Sequence, residues 1–173
     1  IVKADGSAGA ASLDVNGASN LGANVVTTGA QIYTGATTVS ADISLKNTNN
    51  NVTFSSTLNS DATPRDLTID TGGNTGTILF SAVVGQTNDF DVIAITGNLN
   101  LDADIGADDF SAAGATSIAV SGASNLGKDV TTSGTQTYTG AVTLSGAART
   151  LTSTTNGAVL FSSTIDGTQD LTV

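Results

Sequence analysis

Residues 135–144 read "TQTYTGAVTL", and residues 30–39 nearly say the same thing as "AQIYTGATTV". Working outward, residues 12–40 align without a gap to 117–145 at an offset of 105, with 18 of 29 positions identical. The shared words are "GASNLG" at 17–22 and 122–127 and "YTGA" at 33–36 and 138–141. With small gaps, "NNVTFSSTLN" (50–59) answers "GAVLFSSTID" (157–166), and "DLTI" (66–69) answers "DLTV" (170–173). The chain is read as one continuous unit over 1–173 with a long internal repeat, 12–70 matching 117–173.

A shorter rhythm sits inside the long one. Tyr33, Phe54 and Phe80 open the phrases "YTGAT", "FSSTL" and "FSAVV", and Tyr138 and Phe161 open "YTGAV" and "FSSTI". The spacings are 21 residues for Tyr33–Phe54, 26 for Phe54–Phe80 and 23 for Tyr138–Phe161. Phe110 ("FSAAG") is a further candidate member in a less regular neighbourhood. Periods of this size signal solenoids, propellers or arrays.

Local alternation chooses among them. In 138–144, Tyr138, Gly140, Val142 and Leu144 share one parity and Thr139, Ala141 and Thr143 the other. The same holds for Val52, Phe54 and Leu58 against Thr53, Ser55 and Thr57. In 99–105, Leu99, Leu101, Ala103 and Ile105 alternate with Asn100, Asp102 and Asp104. This is the pattern of half-buried strands, separated by turn-forming clusters such as "TGGNTG" and "NTNNN". The expected fold is all-β, a right-handed parallel β-helix (β-solenoid) of about seven rungs. Tyr33, Phe54, Phe80, Tyr138 and Phe161 are expected to stack inside as a core ladder, with "GASNLG" as a corner. The rival is a set of tandem β-sandwich repeats, since the offset of 105 fits an immunoglobulin-sized domain. The short sub-period, the lack of Trp and the single proline, Pro64, weigh against it.

Composition narrows the function. His, Cys, Met, Trp and Glu are absent, so all 15 acidic residues are Asp, and they outnumber Lys3, Lys46, Arg65, Lys128 and Arg149 to give a net charge of −10. Without clustered cations, nucleic acid and anionic membrane surfaces are poor partners. No apolar run approaches the ~20 residues of a membrane helix. Aromatics are only 4% of the chain, which suits a narrow core repeated along an axis. The opening "IVKADG" reads as the start of a mature or interior piece of a longer polypeptide.

Several residue sets invite chemistry. Asn100, Asp102 and Asp104, with Asp108 and Asp109 beyond them, offer oxygen ligands to Ca²⁺, the one metal candidate. Neither the EF-hand spacing nor a glycine-rich calcium nonapeptide is present, and the competing reading is a solvated acidic face. Asp89/Asp91 and Asp102/Asp104 meet the ~5–9.5 Å spacing of glycosidase carboxylates, without a sign of the burial that raises one pKa. Triad chemistry is excluded because no His or Cys accompanies the serines. Thr-x-Thr runs such as "TQTYT" raise an ice-binding face, which Ile32 and Lys46 would interrupt. Tyr33 and Tyr138 with Gln31 and Gln136 suggest a carbohydrate contact, but their parity with Val and Leu points them inward.

Phrases such as "VTTSGTQTYTGAVTL", "VLFSSTIDGTQDLTV" and "LTIDTGGNTGTILFSAVVG" resemble the β-strand repeats of giant bacterial surface adhesins. These are the filamentous-haemagglutinin-like proteins and autotransporter passenger domains. The resemblance implies a secreted, cell-surface β-helical stalk with no catalytic residues and no obligatory cofactor. Because a solenoid end is an unpaired sheet edge, the expected partners are further rungs of the same chain or identical subunits stacked head to tail. A receptor or glycan ligand is left unnamed.

Overall fold

The computed structural model describes residues 9–73, 75–106 and 113–173. The chain winds as a parallel β-solenoid with three faces. The first turn is β1 (Leu13–Val15), β2 (Ser19–Leu21) and β3 (Val25–Val26). The second is β4 (Gln31–Tyr33), β5 (Thr37–Val39) and β6 (Ile43–Lys46), and the third is β7 (Val52–Phe54), β8 (Leu58–Ser60) and β9 (Leu67–Asp70). In the fourth, β10 (Thr77–Phe80) and β11 (Phe90–Thr96) flank a single bridging residue, Val84. In the fifth, β12 (Asn98–Leu101) and β13 (Ala115–Val120) flank Ile105 in the same way. The sixth is β14 (Ser124–Leu126), β15 (Val130–Thr132) and β16 (Gln136–Tyr138); the seventh is β17 (Val142–Leu144), β18 (Arg149–Ser153) and β19 (Val159–Phe161). β20 (Ile165–Asp166) and β21 (Leu171–Thr172) begin the next.

Like positions pair with like. The first face is an eight-stranded sheet, β1-β4-β7-β10-β12-β14-β17-β20. The second runs β2-β5-β8, passes through the bridges Leu58↔Val84↔Ile105↔Val130, and continues β15-β18-β21. The third runs β3-β6-β9-β11-β13-β16-β19. Every pairing is parallel, which rules out the antiparallel sandwich alternative.

Most strands are short, with two inward side chains each, and only β11 and β13 carry three; the Gly, Asn and Asp clusters bend the chain between faces. Inward positions carry Val, Leu, Ile and single aromatics, and they bury almost completely: Tyr33, Val52, Leu58, Leu67, Ile78 and Phe80 are all at 0% exposure. A rung alone has no second layer to bury this face. Stacking supplies it, so neighbouring rungs stabilise each other.

The aromatics form two columns and not the single ladder expected. Tyr33 stacks on Phe54 at 4.9 Å, and Phe80 packs against Phe54 at 5.7 Å with its ring tilted by 37°, all on the first face. That column continues in register as Leu101, Leu126 and Leu144. Tyr138 stacks on Phe161 at 5.4 Å on the third face, above Val120 and Ile95. The reason is a phase mismatch. From β2 to its repeat counterpart β14 the chain visits fourteen successive face positions, counting Val84 and Ile105, which is four turns and two faces. The second copy of the long repeat is therefore rotated by one face about the axis. β2 lies on the second face and β14 on the first; β4 lies on the first and β16 on the third.

Side chains also fasten rung to rung. An Asn or Asp oxygen at one corner accepts the backbone N–H of the next rung: Asn24 from Ser44 (2.7 Å), Asp42 from Asp66 (3.1 Å), Asn51 from Thr77 (3.0 Å). Further along, Asn59 accepts from Thr87 (3.0 Å), Asn98 from Ala123 (2.9 Å), Asp104 from Asp129 (2.8 Å) and Asp129 from Thr150 (3.0 Å). These bonds give partners to backbone amides at or near the strand ends.

Candidate functional surfaces

The acidic segment does not form the continuous strand expected over 99–105. β12 ends at Leu101 and the chain bends at 102–103. Ile105 then enters the core of the second face at 1% exposure. Asn100 stays on the first face, where its Oδ1 accepts from Asn125 Nδ2 at 2.8 Å. Asp102 stands exposed on the corner. Asp104 spends an oxygen on the Asp129 amide. The three side chains are thus divided between the first face and the corner after it, and two of them already spend an oxygen on the next rung. Asp108 and Asp109, like Phe110, lie outside the described residues. Among the described residues, no three Asp side chains come together as they would to hold a metal ion.

The tyrosines point inward, and each closes a buried polar corner. Tyr33 donates its hydroxyl hydrogen to Gln31 Oε1 at 3.1 Å, and Tyr138 to Gln136 Oε1 at 3.2 Å. Gln31 Nε2 donates to the Lys46 carbonyl (2.8 Å) and to Thr27 Oγ1 (3.2 Å). Gln136 Nε2 donates to the Thr152 carbonyl (2.9 Å), the Val130 carbonyl (3.1 Å) and Thr132 Oγ1 (3.3 Å). Each threonine turns its own hydrogen to a glycine carbonyl two residues on, Gly29 or Gly134. The pattern Thr-x-Gly-x-Gln-x-Tyr thus folds into a closed network with no group left for a ligand. The inward parity of Gln31 and Gln136 was legible in the sequence, whereas the threonine and glycine that complete the network carried no signal.

Burial pushes both phenols well above the ordinary tyrosine range. The folded state therefore keeps them neutral where an unfolded chain ionises. This contribution to stability is intact below the unfolded value of ~10 and is lost as pH rises beyond it. In an alkaline titration, tyrosinate absorbance is expected to appear only together with loss of β-sheet circular dichroism. Tyrosinate forming while the sheet signal is intact would contradict the buried corner.

The aspartate pairs considered for hydrolysis are split by the structure. Asp89 lines a shallow groove of about 230 Å³ with Asp61, Ala62, Pro64, Thr87 and Asn88. Partial burial raises its carboxyl above the usual range. Asp91 lies in β11 and is exposed, while its N–H donates to the Arg65 carbonyl. Asp61, opposite Asp89, is held low by its two hydrogen bonds from Arg65 at 3.0 and 2.9 Å and by the Thr63 amide. A carboxylate already neutralised by arginine is a poor base or nucleophile. The outward row of the first face reads Asp14, Ile32, Thr53, Leu79, Asn100, Asn125, Thr143 and Asp166, which is no regular threonine lattice.

No protein-family profile, curated protein or solved structure matches the chain. Among the described residues no helix is long and apolar enough to cross a membrane.

The two ends of the stack are the least covered apolar regions. Leu13, Val15 and Leu21 of the first turn are only half-buried, whereas their repeat counterparts Ile118, Val120 and Leu126 are at 1%, 1% and 0% exposure. At the other end Phe161 and Leu171 are half-buried and Ile165 is exposed, against fully buried Phe54, Leu67 and Leu58. The residues are equivalent and only their place in the stack differs. Exposure here measures the presence or absence of a neighbouring rung.

Proposed function

We propose that the chain is a structural rod segment of a bacterial extracellular adhesin or surface filament, secreted or displayed at the cell surface, and that it works mechanically without catalysis. The observation that carries this reading is the unbroken run of parallel pairing over seven turns, fastened at the corners by side chain-to-backbone bonds. Hydrogen bonds run along the axis on three faces at once, so an axial load is shared among three ladders. The resemblance of the repeat phrases to adhesin stalks and the net charge of −10 support it too, because an acidic surface discourages lateral clumping. Partners on this reading are more rungs, either in the same chain or in stacked copies, because a solenoid end is an unpaired sheet edge.

Single-molecule pulling from the two termini, with and without EDTA, tests the reading. A rod is expected to unravel turn by turn at a sustained force that EDTA leaves unchanged. Softening in EDTA, or backbone amide shifts that saturate with Ca²⁺ or a glycan around 98–106, would replace the plain rod with a metal- or glycan-dependent binding module.

A further inference from the structure

The chain contains the tripeptide Asn-Gly-Ala twice, at 16–18 and at 156–158. Asparagine followed by glycine is the sequence most prone to spontaneous deamidation, because glycine lets its own amide nitrogen reach the asparagine side chain. Identical tripeptides should react alike in an unfolded chain, so any difference between them is imposed by the fold.

The fold treats them differently. Asn16 and Gly17 are both exposed, in the corner between β1 and β2. The Gly17 N–H makes no hydrogen bond among the described residues, and the space beside its Cα is open to 4 Å. At the second copy the Gly157 N–H donates to Ser153 Oγ at 2.7 Å. Gly157 also packs so closely on Gly134 that a Cβ there would overlap its backbone. The attacking nitrogen of Gly157 is thus occupied and its peptide clamped, while that of Gly17 is free.

We infer that Asn16 is a self-modification site and that Asn156 is protected by Ser153. In the reaction, Gly17 N attacks Asn16 Cγ with loss of its proton, the C–N bond to the side-chain nitrogen breaks, and ammonia leaves. The resulting succinimide is opened by water at either carbonyl, giving aspartate or isoaspartate. No oxidation state changes and water is the sole co-reactant. The product carries a new negative charge two residues from Asp14, and the isoaspartate form lengthens the backbone by one methylene at the corner of the first turn. The inference does not depend on the rod reading.

Peptide mapping by mass spectrometry after ageing the folded chain at neutral pH and body temperature tests it, with fragmentation that separates isoaspartate from aspartate. Asn16 is expected to convert several-fold faster than Asn156. In urea the two rates are expected to converge, and Ser153→Ala is expected to raise the Asn156 rate in the folded chain. Equal rates in the folded chain, a faster Asn156, or a Ser153→Ala chain whose Asn156 rate does not rise would each overturn the assignment.

Discussion

Phe54→Ala is expected to lower stability by about 3–5 kcal/mol, the cost of truncating a fully buried aromatic whose site cannot collapse. Phe54 is at 1% exposure and is held between the rings of Tyr33 and Phe80, so its loss opens a void with an aromatic ring on either side. The rungs above and below cannot close on it, because their spacing is fixed by the ladders on the other two faces. At roughly 2–4 °C per kcal/mol for a chain of this size, the melting temperature should fall by about 6–20 °C. Phe161→Ala removes the equivalent ring from the end of the second column, where it stacks on Tyr138 alone and is already half-buried. It should cost less than half as much. Thermal melts of the two variants followed by circular dichroism decide the matter. Equal losses would mean that the end and the middle of the stack are not energetically distinct, against the nearest-neighbour picture of a solenoid.

Those same aromatics show how far the sequence could be read. In a solenoid the length of a turn is also the register offset between paired strands. The spacings of 21, 26 and 23 residues accordingly reappear as the pairings Tyr33↔Phe54, Phe54↔Phe80 and Tyr138↔Phe161. What the repeat could not disclose is which face each column occupies. That depends on counting face positions through 80–120, where the second face is reduced to Val84 and Ile105. There β11 and β13 also break strict alternation, with Phe90 then Ile93, and Ala115 then Ile118, as inward positions. A period-2 reading passes over Phe90 for this reason, although it is fully buried. The acidic stretch was misread for a related cause. Alternation of apolar and polar residues continues from Leu99 to Ile105 through a corner, and pattern alone does not distinguish a bend from a straight strand. The corner fasteners were invisible because each bond joins residues 20 to 28 apart with no local signature.

Gly140→Ala is the second large effect, expected at about 3 kcal/mol, the upper part of the range for overpacking a rigid site. A Cβ on Gly140 would overlap the carbonyl of Gly122 on the rung before, and a Cβ on Gly122 would overlap the carbonyl of Gly97 before that. Gly97, Gly122 and Gly140 thus form a column at the corner between the third and first faces, with backbone pressed on backbone and no flexible side chain able to give way. Gly17 and Gly35 form the matching contact one corner round, where a Cβ on Gly35 would overlap Gly17. Gly17 is the repeat counterpart of Gly122, yet a Cβ added to it meets nothing within 4 Å. Gly17→Ala should therefore change stability by no more than the ~0.5 kcal/mol of an ordinary surface substitution. Chemical denaturation of the two alanine variants separates the causes. If the glycines serve only to let the backbone turn, Gly17→Ala and Gly140→Ala should cost the same. If close approach between rungs is the reason, only Gly140→Ala is costly, and the glycines of "GASNLG" and "YTGA" are contacts between successive turns before they are bends within one.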